Sequence, residues 1–227
     1  MKPILTAVCF AGMLMPALAH AAGADAMKPV YDNERVRVWD VTWAKGQQGP
    51  VKKYDLDTVY VFIAGGDVRV KNADGSSKVV KRKKGEAVWV AKGSPAVVEE
   101  GAGDASGANQ ARSVIVELKD NPGPKYENKT GLVNAFPRPH VKTVLQNGRV
   151  NVWDYEWYAG EPTPMHFHNT DVVVTYMENG SLQSTEPDGK VTVNDYTAGQ
   201  IKFNLGNRAH TELLVKGKQH AMMVELK

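Results

Sequence analysis

The stretch VYDNERVRVWDVTW, Val30 to Trp43, returns 114 residues later as VLQNGRVNVWDYEW, Val144 to Trp157. Eight of these fourteen positions are identical. Near the end of the chain the spacing falls to 108, where Glu117-Leu118-Lys119 matches Glu225-Leu226-Lys227. A match this long predicts two copies of one structural unit, of which the first has six extra residues. We place these in a surface loop within 101–110, which is rich in glycine, alanine and serine.

Within each copy, apolar and polar residues alternate over short runs, such as Arg35 to Thr42 and Thr58 to Ile63. This alternation is typical of strands with one buried face. Asp74-Gly75 and Asp188-Gly189 supply the positive φ that tight hairpins need. No long helical pattern interrupts the runs, so the sequence predicts an all-β fold of two closed or sandwich-like barrels.

The two copies are separated by the segment 121–140, which contains four prolines and shows little periodicity. Such a segment predicts a linker between units. The predicted domains are therefore 23–120 and 141–227.

The chain begins with a pattern typical of a signal peptide. Met1-Lys2 is a short positive start, and the run from Ile4 to Leu18 is almost wholly apolar. That run is shorter than the roughly 20 residues a spanning helix needs, so we expect no stable membrane insertion. We predict a signal peptide over 1–22 and a periplasmic or secreted protein. The candidate cleavage sites follow Ala19, Ala21 and Ala22.

Charge and cysteine content exclude several classes of function. The net charge is +3, and it becomes +2 when Lys2 is removed with the signal peptide, which is too small to favour nucleic acid or an anionic membrane as partner. The one cysteine, Cys9, lies in the segment that is removed. Disulfide, zinc-cysteine and thiol chemistry are therefore not expected in the mature chain.

Three histidines form a pattern that suits a metal ion. His166 and His168 are one residue apart, so on a strand they project to the same face. His210 follows 42 residues later, at the start of an apolar run that an antiparallel barrel can bring beside them. Neutral imidazole binds divalent Zn, Fe, Cu, Ni and Mn, and three such ligands leave positions open. Lewis-acid catalysis, metal-bound hydroxide and oxygen activation all require open positions.

These residues resemble the cupins, and the two copies resemble a bicupin with two tandem jelly-roll (double-stranded β-helix) barrels. The glycines and histidines that fit the two cupin motifs are Gly160, His166, His168, Gly180, Gly199 and His210. Val173 stands where the first motif has a glutamate. The proline, second glycine and asparagine of the second motif are replaced by Leu205, Asn207 and Leu214.

The resemblance implies a metal site of His166, His168 and His210 without the usual carboxylate. Three neutral ligands leave a divalent ion at +2, which favours a small chelating anion or hydroxide in the open positions. Such sites are similar to those of thiol dioxygenases and β-diketone-cleaving dioxygenases, which use ferrous iron. We therefore favour Fe(II), with Zn, Cu, Ni and Mn left open. Cupins often pair, so a homodimer is a further expectation.

Two acids lie near the predicted ligands in sequence. Glu212 is placed to accept a hydrogen bond from a ligating histidine, outside the metal's own ligands. Asp171 has the same option, but its counterpart Asp57 in the first copy favours a structural role. In that copy the ligand positions hold Lys52, Tyr54 and Ala96, which predicts a degenerate barrel. His140 and His220 are expected on the surface.

The sequence leaves the reaction class open. The first hypothesis is an oxygen-dependent oxidation or cleavage of a small, chelating, anionic molecule. The alternative is a barrel that binds a metal or a small ligand without turnover. A purely structural pair of barrels and an isomerase also remain.

Overall fold

The computed structural model describes residues 27–104 and 106–227. The predicted signal peptide and its cleavage sites lie outside the described residues. Every regular helix or strand assigned in these ranges is a strand, which confirms the all-β prediction. A helix with the length and apolarity that a membrane crossing needs does not occur in these two ranges.

The first half of the chain forms two sheets between residues 31 and 118. Its strands are β1 (Tyr31–Asp32), β2 (Val36–Thr42), β3 (Asp57–Ala64), β4 (Gly66–Asn72), β5 (Ser77–Arg82), β6 (Ala87–Val90), β7 (Val97–Gly101) and β8 (Arg112–Leu118). The larger sheet has the order β1-β2-β8-β3-β6, and the smaller has the order β5-β4-β7.

The second half repeats this order between residues 133 and 226. Its strands are β9 (Val133–Asn134), β10 (Val141–Gln146), β11 (Val150–Trp157), β12 (His166–His168), β13 (Val172–Tyr176), β14 (Gly180–Thr185), β15 (Val191–Tyr196), β16 (Ile201–Asn204), β17 (Arg208–Gly217) and β18 (Gln219–Leu226). The sheets run β10-β11-β18-β13-β16 and β15-β14-β17-β12-β9. Strands β9 and β12 have no counterpart among the described strands of the first half. The division into two tandem barrels at the predicted boundaries stays a prediction.

The larger sheets of the two halves pack against each other through a shared apolar cluster. Alternation along β2 shows how: Val36 and Val38 belong to this cluster, whereas Val41 belongs to the core of the first half, as does Trp43 just after the strand. The larger sheet of the second half alternates in the same way, with its other face in that half's own core. Each larger sheet is therefore buried on both faces, which explains its near-continuous apolar strands.

Two ion pairs cross between the halves at positions that the repeat relates. Arg35 Nη1 lies 2.6 Å from Asp171 Oδ2, and Arg149 Nη1 lies 3.2 Å from Asp57 Oδ2. Arg35 matches Arg149 and Asp57 matches Asp171 in the repeat, so each half offers its arginine to the other half's aspartate. This reciprocity is the pattern of a two-fold interface, here built within one chain.

Part of the predicted linker 121–140 is built into the second half. Strand β9 pairs in parallel with β12, with Val133 opposite His166. Ala135 and Phe136 then join the core of the second half. The segment therefore lies directly beside the strand that carries two of the histidines.

Candidate metal site

The structure brings the three predicted histidines together. His166 and His168 lie on one face of β12, and β12 runs antiparallel to β17 with His166 directly opposite His210. The side chains are buried, with at most 6% of each residue exposed. Two neighbouring strands in register are therefore enough to assemble the set, because alternate residues of a strand share a face.

The imidazoles converge through their Nε2 atoms. Nε2 of His168 lies 3.1 Å from that of His166 and 3.2 Å from that of His210. An ion bound at about 2.0–2.1 Å from each nitrogen, with angles of roughly 90–110°, separates neighbouring nitrogens by about 3.0–3.4 Å. The spacing therefore fits a divalent ion with three imidazole ligands on one side.

The histidines are held in the form that binds a metal. The Nδ1 atom of His166 lies 2.8 Å from the Pro164 carbonyl, so it donates there and leaves the Nε2 lone pair free. Burial, aided by the charge of Arg138, lowers the pKa of His166 to about 3. Burial also lowers the pKa of His168 and of His210. The three rings are therefore neutral near pH 7, as ligands must be.

In strand β13, the residues that face the cavity are not the one that the sequence comparison matched to the motif's glutamate. Val173 faces the cluster between the halves, and Val172 and Val174 line the cavity beside the histidines. Val173 was therefore the wrong residue to compare with the motif's glutamate, because adjacent strand residues face opposite sides. The cavity position is still a valine, so β13 places no carboxylate there.

Glu212 of β17 places a carboxylate beside the triad, but on the Nε2 side of His210 and not at an outer imidazole N–H, where the sequence predicted it to accept a hydrogen bond. Its Oε1 lies 3.8 Å from His210 Nε2, while Oε2 accepts a hydrogen bond from Trp157 Nε1 at 3.2 Å. Burial raises the pKa of Glu212, and the permanent positive charges of Arg138 and Arg208 act against burial and favour the ionised carboxylate. Glu212 is therefore an ionised acceptor next to the metal position.

Arg138 is a site residue that the sequence interpretation missed. Its Nη1 lies 3.1 Å from Nε2 of His166, its Nη2 lies 3.5 Å from Glu212 Oε2, and its guanidinium stacks 4.0 Å from the Tyr155 ring. The side chain is 4% exposed. Arg138 lies in the proline-rich segment assigned to a linker, and no periodicity there signals burial.

The other predicted residues lie elsewhere. Asp171 pairs with Arg35 and accepts the Gly206 N–H at 2.7 Å, which is the structural role favoured by its counterpart Asp57 and not the alternative place behind the metal ligands. His140 is half exposed and lies 3.3 Å from Glu161. His220 lies in strand β18, and its Nε2 is 2.6 Å from Asp154 Oδ1.

The described residues of the first half hold no comparable triad. Glu99 lies at the position of Glu212, because their backbone carbonyls accept equivalent hydrogen bonds from the preceding loop, at 2.9 and 2.8 Å. The repeat spacing is therefore 113 here. The counterpart of His210 is Val97, and the predicted Ala96 is wrong by one residue.

A cavity of about 130 Å³ opens beside the histidines. His168, His210 and Glu212 form one part of its wall, and Trp157 and Tyr176 form another. The volume admits a compact molecule next to the Nε2 atoms. The site can therefore hold a divalent ion and a small ligand together.

Comparisons with known proteins identify the fold. No protein-family model matches this sequence, and no curated protein matches it. A cupin 2 conserved barrel domain protein from Leptotrichia buccalis is 13% identical, with a TM-score of 0.52 over 88% of this chain and 87% of that chain. The protein Ylba from E. coli is 10% identical, with a TM-score of 0.56 over 85% and 77%. Oxalate decarboxylase of Bacillus subtilis, described with Mn(II) centres, is 13% identical, with a TM-score of 0.50 over 86% and 69%.

These likenesses confirm the cupin resemblance at the level of the fold. Identities of 10–13% carry no activity from those proteins to this chain. Function has to be argued from the histidines and the cavity beside them.

Proposed function

We propose that this chain is a periplasmic metal-dependent oxygenase, in which Fe(II) held by His166, His168 and His210 promotes the oxidation or cleavage of a small chelating anion. The observation that carries the proposal is the convergence of three buried, neutral Nε2 atoms, with His168 and His210 in the wall of one small cavity. Dioxygen is the oxidant, and both of its atoms enter the products. The reaction then needs no external reductant.

A ferrous ion bound there would supply open coordination positions at which a chelating anion and dioxygen meet. The chain's own residues do the remaining work. The three imidazoles add no negative charge, so the site attracts an anionic ligand. The side chains of Trp157 and Tyr176 wall the cavity and limit the water it can hold.

Glu212 is the group that can take a proton from the ligand. Its Oε1 lies 3.8 Å from His210 Nε2 and therefore borders the metal position. Trp157 and Arg138 hold the other oxygen, Oε2, which fixes the orientation of the carboxylate. We assign to Oε1 the proton that a chelating substrate releases when it binds as an anion.

A second candidate is a barrel that binds a metal or small ligand without turnover. It is favoured by Arg138, whose guanidinium lies 3.1 Å from His166 Nε2 and competes with a metal for that lone pair. Oxygen consumption separates the two candidates.

The first experiment measures metal content by elemental mass spectrometry on the full chain purified from its secreted compartment. We expect about one iron per chain in wild type and near-complete loss in His166→Ala/His168→Ala, because the one ligand left binds far more weakly than three. His140→Ala is the matched control, since His140 is half exposed and outside the site. Unchanged metal content in the double variant would contradict the site.

The same iron-loaded samples are then mixed with thiol carboxylates, β-diketones and short dicarboxylates while dissolved oxygen is followed. Oxygen uptake that requires His168 supports the oxygenase. Tight iron binding with no uptake from any compound would favour the binder.

The proposed location has its own test. The mass of the mature chain from a periplasmic fraction should correspond to cleavage after Ala19, Ala21 or Ala22. A full-length chain in the cytoplasmic fraction alone would contradict it.

A further inference from the structure

The charges that line the cavity do not balance. Three cationic side chains line it, those of Arg138, Lys202 and Arg208, and the one acid among its lining residues is Glu212. Arg138 is paired with that acid at 3.5 Å. Within 27–104 and 106–227, neither Lys202 nor Arg208 forms an ion pair with a carboxylate. Two positive charges therefore face the cavity without compensation, although charges in such settings are usually paired.

The strands aim both cations at the same space as the histidines. Lys202 on β16 lies opposite Val174, and Arg208 on β17 lies opposite His168. Lys202 Nζ sits 5.3 Å from the Tyr196 ring, and Tyr196 stacks on the cavity residue Tyr176. The fold therefore holds the lysine at the cavity wall rather than in solvent.

The guanidinium of Arg208 keeps part of its hydrogen-bonding capacity for a ligand. Its Nε donates to the Leu205 carbonyl at 3.1 Å, and its Nη1 lies 3.4 Å from His210 Nδ1. Nη2 has no partner among the described residues. Nε therefore anchors the guanidinium, whereas Nη1 cannot donate to His210 Nδ1 when that atom carries the proton in the metal-binding tautomer. A donor on Nη2 remains for a ligand.

The first half shows that the scaffold does not need these polar residues. Strand pairing places Val88 at the position of Lys202 and Val90 at the position of Asn204. Both valines pack against the apolar core of the first half. The same two strands therefore form with valine there, so a purely structural role does not account for Lys202.

We propose that the ligand of this site is a compact dianion, such as a short dicarboxylate, whose second anionic group is bound by Lys202 and Arg208. The inference rests on the proposed function, because the metal is taken to bind the first anionic group. Ser184, Asn194 and Asn204 line the same cavity and supply neutral partners for the remaining oxygens. The small volume excludes a long apolar tail between the two groups.

The test is calorimetric titration of the zinc-loaded full chain with malonate and with acetate, since zinc binds imidazole and is redox-inert. We expect malonate to bind wild type at least about tenfold more tightly than acetate, because a second charged group gains charge-assisted hydrogen bonds. Lys202→Gln and Arg208→Gln should each remove most of that difference. Lys202→Arg should retain it.

Lys142→Gln is the matched control, because Lys142 is exposed on β10 and lies outside the cavity. Equal affinity for malonate and acetate in wild type would overturn the proposal. So would Lys202→Gln and Arg208→Gln variants that both bind malonate as wild type does.

Zinc content measured on the same samples separates this proposal from the metal function. A wild type that holds no zinc but still binds malonate through Lys202 overturns the metal function and supports the anion subsite. A wild type that holds zinc but binds malonate no more tightly than acetate supports the metal function and overturns the anion subsite.

Discussion

The two halves of this chain share one strand order but differ in what lies between their sheets. In the first half Tyr54 and Val97 occupy the places of His168 and His210, and they pack with Trp43 and other apolar side chains. In the second half the same places border a cavity with several charged residues. The same strand arrangement can therefore enclose either a filled apolar core or a polar cavity.

The difference has a physical cost, because an open cavity gives up packing contacts that a filled core retains. The filled half and the valine-rich cluster between the halves supply packing to the whole chain. A scaffold that is stabilised elsewhere can keep polar and charged residues at the site. Three experiments test this contrast, at the ion pairs between the halves, at Arg138 of the second half and at Glu99 of the first.

The largest effect is expected at the reciprocal ion pairs. Arg35→Met should lower the free energy of unfolding by about 3–5 kcal/mol, because it leaves the buried Asp171 carboxylate without its guanidinium. Arg149→Met, at the related position, should lower the free energy of unfolding by less than about 1 kcal/mol, since the Arg149–Asp57 pair is more exposed. Chemical denaturation of both variants measures the difference. Equal losses would show that the two pairs are energetically alike.

A smaller effect is expected at Arg138, which borders the triad of the second half. Arg138→Met should raise the affinity for a divalent metal about tenfold, because it removes a positive charge and frees the His166 lone pair. Competition with a chromophoric chelator measures the affinity. Arg112→Met is the control, since Arg112 pairs with Asp40 away from the site. Weaker metal binding in Arg138→Met would mean that the arginine organises the triad instead.

The smallest effect is expected at Glu99, the counterpart of Glu212. Burial raises the pKa of Glu99 above its ordinary value of 4.5. A raised pKa in the folded chain gives stability that is present below the unfolded pKa and is lost as pH rises through the folded pKa. The Glu99→Gln variant has no carboxyl group to ionise and cannot lose this stability. Its free energy of unfolding relative to wild type should therefore increase between about pH 4 and pH 7, by no more than about 1 kcal/mol.

Denaturation at both pH values checks this sign. A variant that is less stable than wild type at neutral pH would show that ionised Glu99 is stabilised by a neighbour such as Arg82. The contrast with Glu212, whose ionised carboxylate is favoured by the positive charges of Arg138 and Arg208, would then disappear.

Much of the candidate site was predictable because its signals are local. His-x-His spacing on a strand places His166 and His168 on one face whatever the rest of the fold does. Glu212 follows His210 by two residues on one strand, so their proximity was also predictable. The all-β class followed from short alternating runs, which depend only on neighbouring residues.

The residues that were missed or misplaced depend on register and on distant partners. Val173 and Ala96 were each wrong by one residue, because a shift of one position turns a side chain to the other face. The structural role favoured for Asp171 came without a partner, because that partner, Arg35, lies 136 residues away. Arg138 was missed because its partners come from β11, β12 and β17 while its own segment carries no pattern.

The sequence by itself determined the repeat, the strand class and the three histidines, since each is written in the spacing of neighbouring residues. Only the tertiary structure decided which wall of the cavity each side chain faces, which half is filled, and which cations are left without a partner. Strand pairing and sheet packing bring together residues far apart in the chain, and small changes in register select which of them meet.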